Sequence, residues 1–178
     1  MNDYAAITAP GTLEIQRILP APVERVWAFL TESDKRGRWL AAGDMDLRAG
    51  ADVHLHFDHT ELSPHEEQIP ERYKSMESGH DSIGRIIECV PPRRLSFTWD
   101  ESDAEPSQVS FDLSARGDDV LLVVTHRRLA DRAAMLSVAG GWHMHLDILA
   151  DNLNGEVPRP FWATHAKMET QYTRRLAP

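Results

Sequence analysis

The chain has 178 residues, of which 42% are hydrophobic and 26% are charged, so it is long enough for one globular domain with a substantial core. Its formal net charge of −9 argues against nucleic acid and anionic membranes as partners. The one cysteine, Cys89, excludes an intrachain disulfide and a multi-cysteine metal site, and we expect it to be buried and inert.

Targeting and membrane signals are not visible in the sequence. The opening stretch MNDYAAITAP has no basic segment and no long apolar core, so we expect no signal peptide. No run of about 20 apolar residues exists that could cross a membrane. Together with the lack of disulfides, this predicts a cytoplasmic protein.

The first 30 residues are predicted to form one strand and one helix. Residues 1–11 have the composition of a short, loosely ordered tail. Apolar and polar residues alternate over 12–19, which indicates a strand that ends at Pro20. Pro22 then opens a helix over 22–30, because proline is tolerated in the first helical turn.

The next segment predicts a hairpin followed by an acidic loop. Strands at 45–47 and 52–57 are expected to meet at an Ala49-Gly50 turn. In the second strand, Val53, Leu55 and Phe57 face one side. Residues 58–81 hold seven acidic side chains in a long loop, with a short helix expected near 64–76.

Four strands and a long helix follow. The strands are predicted at 82–90, 94–99, 108–115 and 120–127, and their short connections indicate an antiparallel meander. The helix is predicted over 131–156 from apolar residues spaced three or four apart. These residues are Met135, Val138, Trp142, Leu146, Leu149 and Leu153.

A second amphipathic helix is predicted beyond Pro160. Its apolar stripe runs from Phe161 to Leu176. Docking of this stripe on its own domain is favoured, and a homodimer contact is the alternative.

Three stretches resemble one known family. These are APVERVWAFLTESDKRGRWL, GRIIECVPPRRLSFTW and GGWHMHLDILADNLNG. In this order they are similar to the opening helices, the Pro-Pro strand pair and the terminal helix of activator-of-heat-shock-chaperone-ATPase homologues. That AHSA-type family belongs to the START-like, or SRPBCC, superfamily.

The resemblance implies an α+β helix-grip fold, in which a strand, a helix and a six-stranded antiparallel run wrap a long C-terminal helix. It divides the chain into a tail at 1–11, the helix-grip domain at 12–156 and a helical extension at 157–178. Such a fold leaves a cavity between sheet and helix, and it hosts many unrelated activities.

The favoured hypothesis is a protein that binds a small hydrophobic or aromatic ligand in this cavity. The alternatives are a cyclase-like or hydrolase-like enzyme that uses cavity histidines, and a chaperone-associated regulator. No cofactor and no catalytic residue is predicted. The predicted cavity residues are those that the expected strands and helix turn toward each other or that lie at element ends. They are Trp39, Phe57, Trp99, Phe111, His126, Trp142, His143 and Leu146.

The histidines raise two further hypotheses. His54 and His56 share a strand face and could reach one metal ion, but a solvated face is favoured and no metal site is predicted. His143 is expected to face the sheet or the cavity, where it is either a ligand contact or a structural histidine at the edge of the core. Gly140-Gly141 lies inside the long helix at a cost of about 1 kcal/mol per residue, so the backbone there is expected to approach a strand or a ligand, or to kink.

Overall fold

The computed structural model describes residues 3–101 and 104–176. Its main element is a seven-stranded antiparallel sheet in the order β1-β2-β7-β6-β5-β4-β3. The strands are β1 Ala6–Ala9, β2 Thr12–Leu19, β3 Asp52–Phe57, β4 His80–Val90, β5 Arg94–Thr98, β6 Gln108–Arg116 and β7 Asp119–Arg127.

Four α-helices complete the fold of the described residues. Between β2 and β3 lie α1, Val23–Thr31, and the single turn α2, Ser33–Arg36. After the sheet come α3, Arg132–Asn154, and α4, Phe161–Arg175. This is the predicted α+β helix-grip architecture.

The local sequence explains where the central helix α3 begins and ends. The carboxylate of Asp131 accepts a hydrogen bond from the backbone N–H of Ala134 at 2.8 Å, which caps the first turn. Gly155 ends the helix at φ 72°, a left-handed conformation that glycine adopts without strain. Between these ends, α3 is buried against the sheet on one side and against α4 on the other.

Strand β3 shows how the alternation places side chains. Val53, Leu55 and Phe57 are buried, while His54 and His56 are exposed on the other face. The Nδ1 atom of His56 lies 2.7 Å from the Asp81 carboxylate on β4. The favoured interpretation of these two histidines as a solvated face is therefore confirmed.

Two expectations about the strands need correction. The predicted loose tail contains β1, which pairs with β2 at the edge of the sheet. Residues 45–47 form only an isolated bridge, Met45 to Val53, so five strands rather than six follow α2. A turn follows, closed by the Ala51 N–H donating to the Arg48 carbonyl at 3.0 Å, and Gly50 and Ala51 then pair with Ile86 on β4. The pattern of two apolar residues at 45–47 was too short to specify a strand.

The acidic loop is held against α4. A 3₁₀ helix, Glu71–Met76, occupies part of the segment expected to be helical. The carboxylate of Glu67 accepts hydrogen bonds from the backbone N–H groups of Trp162 and Ala163 at 2.9 and 2.8 Å. Because α4 follows Pro160 and has no cap of its own, Glu67 satisfies its free N-terminal donors.

Helix α4 buries its stripe within the same chain. Phe161, Trp162, His165 and Tyr172 are buried, and α4 packs along α3. The favoured prediction of intradomain docking is confirmed by these contacts. Among the described residues, no helix is long and apolar enough to cross a membrane.

Candidate functional site

A cavity of about 220 Å³ lies between the middle of α3 and the ends of β3, β4, β5 and β7. Its lining combines aromatic rings, imidazoles and small side chains. The lining residues are Leu40, Phe57, His59, Met76, His80, Ser82, Trp99, Asp100, His126, Ser137, Val138, Gly141, Trp142 and His145. Wider clefts of about 400 to 700 Å³ lie on the surface, several of them beside charged side chains such as Arg72 and Arg159.

Gly141 helps to keep this cavity open. A Cβ atom placed on Gly141 would meet no neighbouring heavy atom within 4 Å. The same is true of Gly140, which does not line the cavity. The two glycines therefore do not serve to bring α3 close to a strand. The open space beside Gly141 is part of the cavity.

Two tryptophans form the aromatic wall. The rings of Trp99 and Trp142 meet edge-to-face, with centroids 5.2 Å apart. Phe57 lies 5.7 Å from Trp99, and Phe111 supports Trp142 from 5.5 Å. Flat rings of this kind favour aromatic ligands, because edge and face contacts add to the burial of area.

His126 fixes the orientation of Trp142. The Trp142 indole N–H donates to His126 Nδ1 at 3.0 Å, and His126 Nε2 lies 2.8 Å from the Ser107 hydroxyl. Since Nδ1 accepts, the imidazole proton resides on Nε2 and is donated to Ser107. Burial lowers the pKa of His126 to about 4, so the ring stays neutral at neutral pH.

His59 and His80 both line the cavity, and each has one unpaired ring nitrogen that is enclosed by the protein. Nδ1 of each ring is buried and has no hydrogen-bond partner among the described residues. The His80 ring stacks on Phe57 at 4.8 Å, with only 8° between the planes, and the His59 ring lies 6.2 Å from that of His80. Burial lowers the pKa of His59 to about 4 and also lowers the pKa of His80.

His145 is the helix histidine that reaches the cavity. Its Nδ1 lies 2.7 Å from the Trp39 carbonyl oxygen, so Nδ1–H donates and Nε2 carries the lone pair. Burial lowers the pKa of His145 to about 3. The cavity is thus lined by four imidazoles whose pKa values are lowered by burial, together with the Asp100 carboxylate.

The eight predicted cavity residues divide into two groups. Phe57, Trp99, His126 and Trp142 line the cavity. Phe111 lies behind Trp142, and Trp39 and Leu146 are packed in the core without lining the cavity.

His143 lies on the opposite side of α3 from the cavity. Its Nδ1 lies 2.9 Å from the Tyr172 hydroxyl, and its Nε2 lies 3.6 Å from the Asp147 carboxylate. His143 was expected to face the sheet or the cavity. It does not face the cavity described here, because α4 covers the side of α3 on which His143 lies.

A paired charge network continues from His143. Asp147 accepts from Arg17 at 3.0 Å and from Arg159 at 2.8 Å. Arg159 also donates to Asp151 at 2.6 Å. Opposite charges at these distances neutralise one another, so this side of α3 serves to join β2, α3 and the segment before α4.

The sequence reasoning did not select His59, His80 or His145. His59 and His80 lie at the two ends of the acidic loop, and the register that pairs Phe57 with His80 brings them together. Their positions at the two ends of one loop were the feature of the sequence that could have predicted that the two rings lie close together. No group of three or more metal-ligating side chains that could hold an ion is found in residues 3–101 and 104–176.

Two side chains of β4 lie outside the cavity lining. The Glu88 carboxylate accepts from Arg94 on β5 at 2.6 Å. Cys89 is only half-buried, although burial is sufficient to raise the pKa of its thiol.

Comparison with known proteins assigns the family. Residues 20–154 match the family described as Activator of Hsp90 ATPase homolog 1-like protein. The chain belongs to this family. The resemblance inferred from the three sequence stretches is therefore confirmed, and no curated protein matches the sequence.

Solved structures share the fold over almost the whole chain. The protein encoded by gene BPP1335 of Bordetella parapertussis is 45% identical with a TM-score of 0.82, covering 99% of this chain and 92% of that one. CalU16 of Micromonospora echinospora is 25% identical with a TM-score of 0.71, covering 98% of each chain. EF2215 of Enterococcus faecalis, at 19% identity, a TM-score of 0.63 and coverage of 94% and 86%, shows the likeness of fold alone.

Proposed function

We propose that this protein binds a small aromatic or hydrophobic molecule in the cavity between α3 and the sheet. The observation that carries the proposal is a partly open pocket of about 220 Å³ between α3 and the sheet, walled by Trp99 and Trp142. A concave space lined by aromatic rings with a few polar groups is typical of sites for small ligands.

The volume of the cavity limits the ligand to one or two rings. An apolar cavity of about 150 Å³ is sufficient to bind benzene, whereas sites for drug-sized ligands begin near 300 Å³. At about 220 Å³, this cavity falls between those two sizes.

The electrostatics of the lining favour binding over acid–base catalysis. A general base works best when its pKa lies near the operating pH. Burial instead lowers the pKa of His59 and His126 to about 4 and that of His145 to about 3. These imidazoles are weak bases at neutral pH. Both nitrogens of His126 and Nδ1 of His145 are already hydrogen-bonded within the protein, so their rings serve mainly as fixed walls of the pocket.

A titration with naphthalene, followed by the indole N–H signals in ¹H–¹⁵N NMR spectra, tests this proposal. We expect the signals of Trp99 and Trp142 to shift, since both rings line the cavity. The Trp39 indole N–H donates to the Phe29 carbonyl at 2.8 Å outside the cavity lining, so its signal provides an internal control. The proposal fails if no indole signal moves up to the solubility limit, or if all move equally.

A further inference from the structure

A groove of about 580 Å³ lies on the surface between α3, α4 and the 3₁₀ helix. It is separate from the cavity between α3 and the sheet, although the two linings have Ser137 in common. Several exposed polar side chains line the groove, so a molecule in solution can reach them. They include Arg72, Thr170, Thr173 and Arg174. The volume exceeds the roughly 300 Å³ at which sites for small organic molecules begin.

Positive charge exceeds negative charge in this groove, although the chain as a whole carries a net charge of −9. Arg72 and Arg174 line the groove, and Arg132 reaches its wall. Nη2 of Arg132 lies 3.5 Å from the Thr173 carbonyl oxygen. Among the described lining residues, Glu169 is the one carboxylate, and it already forms an ion pair with Arg72. Arg132 and Arg174 form no ion pair with any described residue, so both guanidinium groups can pair with an anion from solution.

The third arginine, Arg72, is held in place by its neighbours. Its guanidinium carbon lies 4.7 Å from the centroid of the Tyr73 ring, and Tyr73 stacks on Trp162 with centroids 5.1 Å apart. The Tyr73 hydroxyl donates to Glu169 at 3.0 Å. Because a guanidinium carries five N–H donors, Arg72 retains donors beyond its contact with Glu169. Its restricted position also reduces the side-chain entropy that an anion would have to overcome.

The apolar part of the groove suits an alkyl chain better than an aromatic ring. Tyr73, its aromatic side chain, already packs against Trp162 and Arg72. The remaining apolar surface comes from Ala133 and the half-buried Leu136 on α3. We propose that the groove binds a small aliphatic anion, whose carboxylate or phosphate group pairs with Arg132 and Arg174 while its alkyl chain lies against Leu136.

Titrations with hexanoate, hexyl phosphate, hexanol and inorganic phosphate test the proposal, followed by backbone amide signals in ¹H–¹⁵N NMR spectra. Both organic anions should shift the signals of Ala133, Thr170 and Thr173, and the tighter of the two identifies the preferred anionic group. Hexanol at the same concentration should leave these signals in place, because it offers no charge to the arginines. Inorganic phosphate should bind more weakly than hexyl phosphate, since it has no alkyl chain to bury. The Trp142 indole signal should not respond to either organic anion, which distinguishes the groove from the cavity.

Arg132→Gln and Arg174→Gln should each raise the Kd of the organic anions about threefold, and the double variant about tenfold. Both side chains are exposed, so the variants should keep the fold. Arg116→Gln at the end of β6 is the matched control, because it removes the same charge from an exposed position outside the groove lining. It should change the Kd by less than about 1.5-fold.

Three results would each overturn the proposal. The first is that neither organic anion shifts the groove signals. The second is that hexanol or inorganic phosphate shifts them as strongly as hexyl phosphate does. The third is that Arg116→Gln weakens binding as much as Arg174→Gln. None of these results affects the proposed aromatic site, which naphthalene tests separately.

Discussion

Helix α3 carries two histidines, His143 and His145, that occupy contrasting environments only two positions apart. His143 belongs to a network in which every charged group has a partner, from Tyr172 through Asp147 to Arg17 and Arg159. His145 faces a cavity with unfilled space and unpaired imidazole nitrogens nearby. One side of the helix thus joins the elements of the fold, and the other side leaves room for a ligand.

This contrast assigns a different role to each side of α3, stability to the network side and ligand binding to the cavity side. Fully paired polar groups contribute to stability and to a unique arrangement, whereas partly satisfied ones are expected where a ligand completes the set. Changes on the network side should therefore alter the free energy of unfolding, and changes on the cavity side should alter ligand affinity.

The largest expected effect is a loss of folding stability at acid pH, to which buried histidines on both sides of α3 contribute. The pKa of His59, His126 and His143 is lowered to about 4, and that of His145 to about 3, in each case chiefly by burial. In the unfolded chain histidine titrates near 6.5, so below that pH the unfolded state binds protons that the folded state does not. The stabilisation is complete above about pH 6.5 and is lost as the pH falls toward 4.

We therefore expect the free energy of unfolding to fall between pH 6.5 and pH 4.5 with a slope steeper than about 1.4 kcal/mol per pH unit, the value for one proton. Urea denaturation at a series of pH values measures this slope. A slope near zero would contradict the burial of several neutral histidines.

The next largest effect should come from Asp147→Asn on the network side. Arg17 is buried, and Asp147 is its carboxylate partner at 3.0 Å. Removing one member of a buried ion pair leaves the other charge uncompensated, so we expect a loss of about 3 kcal/mol in urea denaturation. Asp52→Asn, which removes the exposed partner of Arg85 at 3.7 Å, should leave the midpoint unchanged.

A smaller effect is expected for Tyr172→Phe. The Tyr172 hydroxyl accepts from the Ala5 N–H at 2.8 Å and pairs with His143, so its removal leaves two buried groups unsatisfied. We expect a loss of about 2 kcal/mol and faster hydrogen exchange at Ala5. Tyr73→Phe is the control, because the Tyr73 hydroxyl bonds to the less buried Glu169 and its loss should cost less.

The smallest effect distinguishes the adjacent glycines. Gly140→Ala and Gly141→Ala should each raise the free energy of unfolding by about 0.5–1 kcal/mol, because alanine is the better helix former and the added methyl group meets no neighbour within 4 Å. Only Gly141→Ala should weaken naphthalene binding. Equal affinities for the two variants would show that the cavity beside Gly141 is not the binding site.

The periodicity of the sequence was sufficient to predict most of the fold. Alternation in β2 and β3 and the three-four spacing in α3 each report which side of an element meets the core. The edge strand β1 was missed because its four residues are all exposed and lack an alternating pattern. Its formation depends on pairing with β2, which is a tertiary contact.

The candidate site was predictable only in part for a similar reason. Trp142 was selected because it lies on the apolar stripe of α3, and His126 because it lies near the end of the last strand. His143 was preferred to His145 because the apolar stripe does not report which flank of α3 is covered by α4. That choice depends on the rotation of α3 against the sheet, which is set by long-range contacts such as His145 to Trp39.

The most direct test of the central claim is the affinity for naphthalene of the Gly141→Leu variant compared with that of the natural chain. A leucine side chain at this position extends into the cavity from a backbone that has open space before it. We predict that the variant keeps its fold, as judged by thermal denaturation, and binds naphthalene at least tenfold more weakly. Unchanged affinity in a folded variant would contradict the proposal that the space between α3 and the sheet is a ligand site.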